Sequence, residues 1–297
     1  METKITMLGT SGSSPTKTRA MPSVALSYNG DVLLFDCGEG TQMQMLKYGI
    51  NSSRIRAIFI SHAHGDHVIG LAGLARTMAM NRRQSPLDIF APAGSEKTIN
   101  TLISFDKAMM TYRIMVNGIR SGKIYKGKGF SVTAFALDHS VPSCGYAFRE
   151  DDRMRFNEDK CKKLGVTGEM HSVIHRLGSL KIGKKVIKLG QVARRQAGKK
   201  VVYASDTRPT KSTATAAKNA DILIHESSYS YSERKLAKER KHSTSAEAAA
   251  IAKEAGAKLL VLTHISARYN NADAMENEAT KVFKNTKIAK DGDVIIV

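Results

Sequence analysis

Residues 55–67, IRAIFISHAHGDH, constrain this chain more than any other stretch. The apolar, β-branched run reads as a buried strand. It ends in six residues, 62–67, that hold three of the chain's nine histidines and an aspartate. Any fold that buries the strand must open its end onto a polar pocket, because polar groups left unpaired in an apolar interior are costly. Neutral imidazoles and a carboxylate are good ligands for zinc and similar divalent ions. His62, His64, Asp66 and His67 are therefore candidate metal ligands. A helix would point Asp66 and His67 about 100° apart, so a tight loop containing Gly65 is expected to fold all four around a small space.

The remaining pattern alternates strands and helices. KITML (4–8) reads as a strand and 9–19 as a polar loop. Residues 23–38 read as a hairpin turning at Asn29-Gly30, a dipeptide suited to the left-handed geometry of two-residue turns. Apolar residues recur at helical spacing in 68–83, 96–105 and near 272–283, with shorter helices at 41–49 and around 211–219. Residues 87–92, 129–139, 144–150, 199–206, 221–228, 258–264 and 293–297 read as strands. Thr244 and Glu247 have capping-box spacing ahead of AAAIAKEAG, and Gly256 is a C-cap candidate. The economical arrangement is α/β, two packed sheets with helices outside, and 297 residues can fill a substantial core.

Cys37, Cys144 and Cys161 are odd in number and lack C-x-x-C spacing. That argues against a disulfide scaffold or a thiolate zinc finger and fits a reducing cytoplasm. METKITMLG lacks the features of a signal peptide, and no window approaches eighteen uncharged apolar residues, so no membrane span is expected.

Formal net charge is +19, which favours a polyanionic partner such as nucleic acid or acidic lipid. The excess is concentrated. Residues 149–200 carry fifteen Lys or Arg against six Asp or Glu, and from Ile174 to Lys200 nine basic residues face no acidic one. This stretch has no long apolar run. It reads as an arm or subdomain inserted at approximately 150–198 into a single domain of 1–297, the bland alternative being a solvated loop.

One cluster cannot complete two metal sites. His139, Asp206 and His264 each follow a strand-like run, and their recurrence at strand ends points to a shared pocket. A carboxylate can bridge two cations, and Asp206 is the natural candidate. Two such ions activate water and stabilise charge developing on phosphate oxygens.

SHAHGDH (61–67), DH (138–139), ASDTRP (204–209) and THISARY (263–269) resemble the metallo-β-lactamase fold superfamily. More narrowly, the likeness is to the short-form tRNase Z family of tRNA 3'-processing endoribonucleases, from MLGTSGSSPTKTR to THISARYN. The resemblance implies a four-layer αβ/βα sandwich with an inserted basic arm. It implies two zinc ions per subunit, one on His62, His64 and His139, the other on Asp66, His67 and His264, with Asp206 bridging. It further implies a homodimer that removes the 3' trailer from precursor tRNA, leaving a tRNA 3'-hydroxyl and a trailer 5'-phosphate.

The attacking water and the leaving O3' each need proton handling. Asp66 is expected to accept or orient the water's proton while remaining a ligand. His242, just before a predicted helix N-terminus, is the candidate donor to O3', with Glu226 holding its ring. His225 is expected to hydrogen-bond a ligand or to be a buried strand-end histidine. For substrate, the resemblance points to Lys17 and Arg19 in SPTKTRAMPS and to an arm whose basic residues include Lys181, Lys184 and Lys185. Phosphate contacts of this kind weaken with salt. Residues 167–170 read T-G-E-M where many relatives have P-P-G-P, Ala20 stands where Asn is usual, Ser61 replaces Thr, and H-E-S-S replaces H-E-A-T at 225–228. Rival readings are a small-molecule hydrolase or phosphodiesterase of the same fold, and an idle RNA-binding protein, whose signature would be a lost ligand.

Overall fold

The computed structural model describes residues 2–297, the side chains of residues 105–107 excepted. The chain divides into two compact units, Met1–Phe148 with Lys200–Val297, and Arg149–Lys199.

The larger unit contains two seven-stranded sheets among the described residues. The first runs, in lateral order, Val294–Ile296, Thr3–Gly9, Ser23–Tyr28, Asp31–Phe35, Ile55–Phe59, Leu87–Pro92, Ile114–Ile119. The second runs Thr286–Ile288, Leu259–Thr263, Ile222–Glu226, Lys200–Ala204, Cys144–Glu150, Phe130–Ala136, Gly122–Gly127. Side-chain alternation along each strand separates the layers. Leu33, Phe35, Ala57 and Phe59 join Tyr146, Val201, Tyr203, Ile222 and Ile224 in the core between the sheets. Their sequence neighbours Val32, Leu34 and Ile58 pack outward against Leu71, Leu74 and Met78 of the helix Gly70–Met80. Val202, Leu223 and Leu260 pack outward against the Ala-rich helix Ser245–Ala255. Both faces of each central strand are covered, which is why these strands read as continuous apolar runs. The layers are helix, sheet, sheet, helix, as expected.

Local rules hold where the sequence is explicit. Asn29 and Gly30 adopt φ of 51° and 82° at the hairpin turn between Ser23–Tyr28 and Asp31–Phe35. Thr244 and Glu247 form the capping box, and Gly256 ends that helix at φ 62°. Strands Ile114–Ile119 and Gly122–Gly127 were not legible. They are largely half-exposed edge strands, one on each sheet, interrupted by polar residues and glycines. The chain crosses between sheets through Arg120 and Ser121.

The smaller unit is folded, not a solvated loop. Helices Glu158–Leu164 and Gly168–Leu177 accompany two antiparallel strand pairs, Arg153–Phe156 with Ala193–Gln196 and Ser179–Ile182 with Lys185–Lys188. Cys161, Val166, Ile174, Ile187 and Val192 form its own small core. These residues are scattered along the sequence, so no apolar run announces them. Gly165 ends the first helix at φ 69°, and Thr167-Gly168-Glu169-Met170 begins the second.

Candidate metal centre

Strands Asp31–Phe35 and Ile55–Phe59 are parallel, as are Lys200–Ala204, Ile222–Glu226 and Leu259–Thr263. Parallel strands end at a common edge, where pockets of α/β sheets form. Asp36, Ser61-His62, Ser205-Asp206, Glu226 and His264 lie at these ends. Asp36 and His264 adopt φ of 56° and 58°, a left-handed conformation uncommon for residues with a Cβ. Gly12 lies beside His264, where an added Cβ would stand 2.7 Å from Nδ1.

The expected loop at 62–67 is part helix. His64 is extended, but Gly65–Val68 forms one helical turn carrying Asp66 and His67. The turn does not scatter the pair, because side-chain length brings Asp66 Oδ2 within 3.4 Å of His67 Nε2.

All seven candidate ligands meet. Ligand atoms of His62, His64, His139 and Asp206 lie within 4.8 Å of one another, and so do those of Asp66, His67 and His264. Asp206 faces both groups. Its Oδ2 is 3.7 Å from His62 Nε2 and 3.8 Å from His139 Nε2, while Oδ1 is 3.5 Å from His67 Nε2 and 3.2 Å from His264 Nε2. Asp66 Oδ2 lies 3.6 Å from His264 Nε2.

The far nitrogens of these rings are engaged. His62 Nδ1 is 3.0 Å from Ser61 Oγ, His67 Nδ1 2.8 Å from Asp36 Oδ2, His139 Nδ1 3.0 Å from the Lys241 carbonyl, and His264 Nδ1 2.9 Å from Ser228 Oγ. Such bonds fix which nitrogen is left for a ligand. His67 Nε2 and His264 Nε2 are buried with no hydrogen-bond partner among the described residues. Orphaned inward nitrogens beside carboxylates are what a cation site requires.

Electrostatics favour ionised carboxylates and neutral His62 and His139. Burial opposes ionisation of Asp206, but His264 and His67 outweigh it and hold its pKa below the usual carboxylate range. Asp66 is lowered too, burial being outweighed by the adjacent His264 and His67 rings. Burial, reinforced by His67, pushes His62 well below the ordinary histidine value, and burial also lowers His139. His67 goes the other way, since Asp206 and Asp36 overcome its burial.

His242 adjoins this cluster. Its Nδ1 is 3.0 Å from Glu226 Oε1 and 3.8 Å from Asp206 Oδ2. Glu226 is fully buried and also accepts from the backbone N–H groups of Thr207, Ser243 and Ser228 and from Ser228 Oγ. Burial of His242 is outweighed by Glu226 and its pKa is raised to about 9. His225 is buried, but Nδ1 bonds the Glu226 carbonyl and not a candidate ligand.

The substrate candidates fall in both units. Lys17 is exposed, whereas Arg19 Nη1 donates to Thr10 Oγ1 and the Ala289 carbonyl, each at 2.6 Å. Lys181, Lys184 and Lys185 are exposed on and beside the hairpin Ser179–Ile182/Lys185–Lys188 of the smaller unit.

Sequence reasoning missed Asp36, which accepts from Ser61 N at 2.6 Å, Ser61 Oγ at 2.8 Å and Tyr203 OH at 2.7 Å besides meeting His67. The signal was available, because Asp36 ends an apolar strand just as Asp206 does. Ser61 and Ser228, both departures from the family pattern, retain hydroxyls that reach the ligand rings.

This sandwich with a polar cluster at one sheet edge is the metallo-β-lactamase fold. The family described as Beta-lactamase superfamily domain matches residues 160–265, and that described as Anti-Pycsar protein Apyc1 matches residues 3–177. The chain is 40% identical to ribonuclease Z of Gemmatimonas aurantiaca, across 98% of this chain and 95% of that protein. It is 42% identical to ribonuclease Z of Archaeoglobus fulgidus, across 97% and 95%. The crystal structure of human tRNase Z, short form, matches with a TM-score of 0.73 and 28% identity over 98% of each chain. The chain belongs to the ribonuclease Z family.

Proposed function

We propose that this protein is a zinc-dependent endoribonuclease that hydrolyses one phosphodiester of precursor tRNA, leaving a 3'-hydroxyl on the tRNA and a 5'-phosphate on the trailer. The observation that carries the reading is Asp206, whose two oxygens each face a separate cluster of histidine nitrogens, in a chain with ribonuclease Z relatives along nearly its whole length. The donor set fits two divalent cations. His62, His64 and His139 would hold one, Asp66, His67 and His264 the other, and Asp206 both. Bound there, they would supply a water acidified to near neutrality and positive charge against the phosphate oxygens.

The rest of the work belongs to side chains. Asp66, kept ionised by His264 and His67 despite its burial, is suited to orient the attacking water rather than to store its proton. The water would give up one proton to solvent before its oxygen bonds to phosphorus; as that bond forms the P–O3' bond breaks, and the leaving oxygen needs a proton. His242, whose pKa is raised chiefly by Glu226 and whose Nδ1 is held by Glu226, is suited to donate it from Nε2.

Substrate choice is assigned to exposed basic side chains. The exposed lysines of the smaller unit and Lys17 suit phosphate contacts that recognise RNA shape. Arg19 is assigned to bracing the loop that carries Lys17. No helix among the described residues is long and apolar enough to cross a membrane, and the cytoplasm is the proposed location. A homodimer is proposed through the helix Thr41–Lys47, where Met43 and Leu46 are 62% and 77% exposed beside a groove of about 410 Å³. Leu46→Glu should sediment as a monomer, and an unchanged dimer would move the interface elsewhere.

The deciding experiment is incubation of zinc-reconstituted protein with end-labelled precursor tRNA, mapping the cut to one nucleotide. A single cut at the trailer junction that disappears with chelator is expected. Hydrolysis of small diesters with intact precursor would instead establish a small-molecule phosphodiesterase.

A further inference from the structure

His242 is gripped twice, and only the grip on its ring belongs to the proton-transfer scheme above. Its main chain lies between helices Arg234–Glu239 and Ser245–Ala255. The preceding residue, Lys241, sits at φ 59°, a conformation that persists in a non-glycine residue only when surrounding contacts impose it. Here Lys241 N and His242 N donate to the Lys238 and Ala237 carbonyls at the end of the preceding helix, and the Lys241 carbonyl meets His139 Nδ1 at 3.0 Å. The contact on the His242 carbonyl comes from Arg208, two residues after Asp206. Arg208 Nη1 donates to the His242 carbonyl and, at 3.0 Å, to Glu247 Oε2, while Nη2 donates to Glu247 Oε1. Glu247 Oε2 in turn accepts from Thr244 N at 2.9 Å, closing the capping box of the following helix. The planar guanidinium thus spans two acceptors, the His242 carbonyl and the Glu247 carboxylate, a reach that an ammonium lacks. Adjacent Thr207 completes the tie, for its carbonyl accepts from Ser243 Oγ at 2.6 Å and its N–H donates to Glu226 Oε1 at 3.0 Å.

We infer that Arg208 is a positioning residue for the His242 proton donor, setting the main-chain turn that carries the imidazole relative to Asp206. This rests on the proposed endonuclease reading for its rate consequences, but not for its structural ones. A misplacement of about 1 Å at such a group can cost on the order of a hundredfold in rate. Glu226 can orient the ring only if the turn presents it, so the two grips act in series.

The test uses the full-length, zinc-loaded protein. Arg208→Lys keeps the charge and loses the fork, and Arg208→Ala loses both. On precursor tRNA we expect kcat to fall roughly tenfold to a hundredfold, with KM within about twofold and zinc content equal to the parent. In a His242→Ala background the same substitutions should cost nothing further, because Arg208 acts through His242. Guanidinium ion should restore part of the Arg208→Ala rate and none of the His242→Ala rate. An equal penalty in the His242→Ala background, or parental rates in Arg208→Lys, would overturn the assignment. Nitrogen-15 NMR of the His242 imidazole supplies a readout independent of substrate. Its resonances should shift or broaden in Arg208→Lys, and unchanged resonances would reject the positioning role. If the parent leaves precursor tRNA intact while the imidazole responds to Arg208→Lys, the endonuclease reading fails and the Arg208 tie stands.

Discussion

Asp36 Oδ2 lies 2.8 Å from His67 Nδ1, and both side chains are fully buried. The carboxylate fixes the ring so that Nε2 is directed to the two carboxylates of the site, 3.4 Å from Asp66 and 3.5 Å from Asp206. Outer hydrogen-bond partners of this type typically govern metal affinity about 10–100-fold. Asp36→Asn should therefore weaken zinc binding by that order with the fold retained. Competition against a chromophoric chelator measures it, and a parental affinity would reduce Asp36 to a packing role.

Asp206 faces both halves of the cluster, so its loss should be felt in both. Asp206→Ala is expected to lower zinc stoichiometry below two per chain and to abolish cleavage. Ions that bind only the folded state stabilise it by about 2.7 kcal/mol at a hundredfold excess over Kd. Added zinc should raise the Tm of chelator-stripped parent protein and raise that of Asp206→Ala far less. Equal zinc-induced shifts would show that Asp206 is not shared.

His242→Ala should lower kcat on precursor tRNA by about 10²–10⁴-fold, the usual reach of a general acid, with zinc content and tRNA affinity near parental. Glu226→Gln should lower kcat in the same direction, because the neutral amide no longer favours a protonated ring. Equal cleavage rates in parent and His242→Ala would remove His242 from the chemistry.

Glu150 N donates to the Lys199 carbonyl at 2.9 Å, so the ends of the smaller unit meet. Replacing residues 151–198 by a short Gly-Ser link should leave the flanking strands intact. Cleavage of precursor tRNA should fall far more than hydrolysis of an activated small diester, and the salt dependence of kcat/KM should flatten. Unchanged tRNA kinetics would assign the basic charge of this unit to solubility alone.

How far the string alone reached depends on range. Strand periodicity, the Asn29-Gly30 turn, the Thr244–Glu247 capping box and the density of His62, His64, Asp66 and His67 are local signals, written within a few residues because backbone sterics and short hydrogen bonds act over that distance. They determined an α/β chain with a ligand-rich strand end, and strand-end logic reached His139, Asp206 and His264 as well. What only the tertiary structure decided is non-local. Asp36 meets His67 across 31 positions, Tyr203 meets Asp36 across 167, and Arg208 reaches Glu247 across 39. The inward nitrogen of each ring and the direction in which His242 shifts likewise arise from groups that become neighbours only when parallel strands end at one edge, while the hydrogen bonds of Arg19 and the small core of Cys161, Val166, Ile174, Ile187 and Val192 join residues scattered along the sequence. Hydrogen bonds and burial are properties of neighbours in space, and that adjacency exists only after the chain has folded.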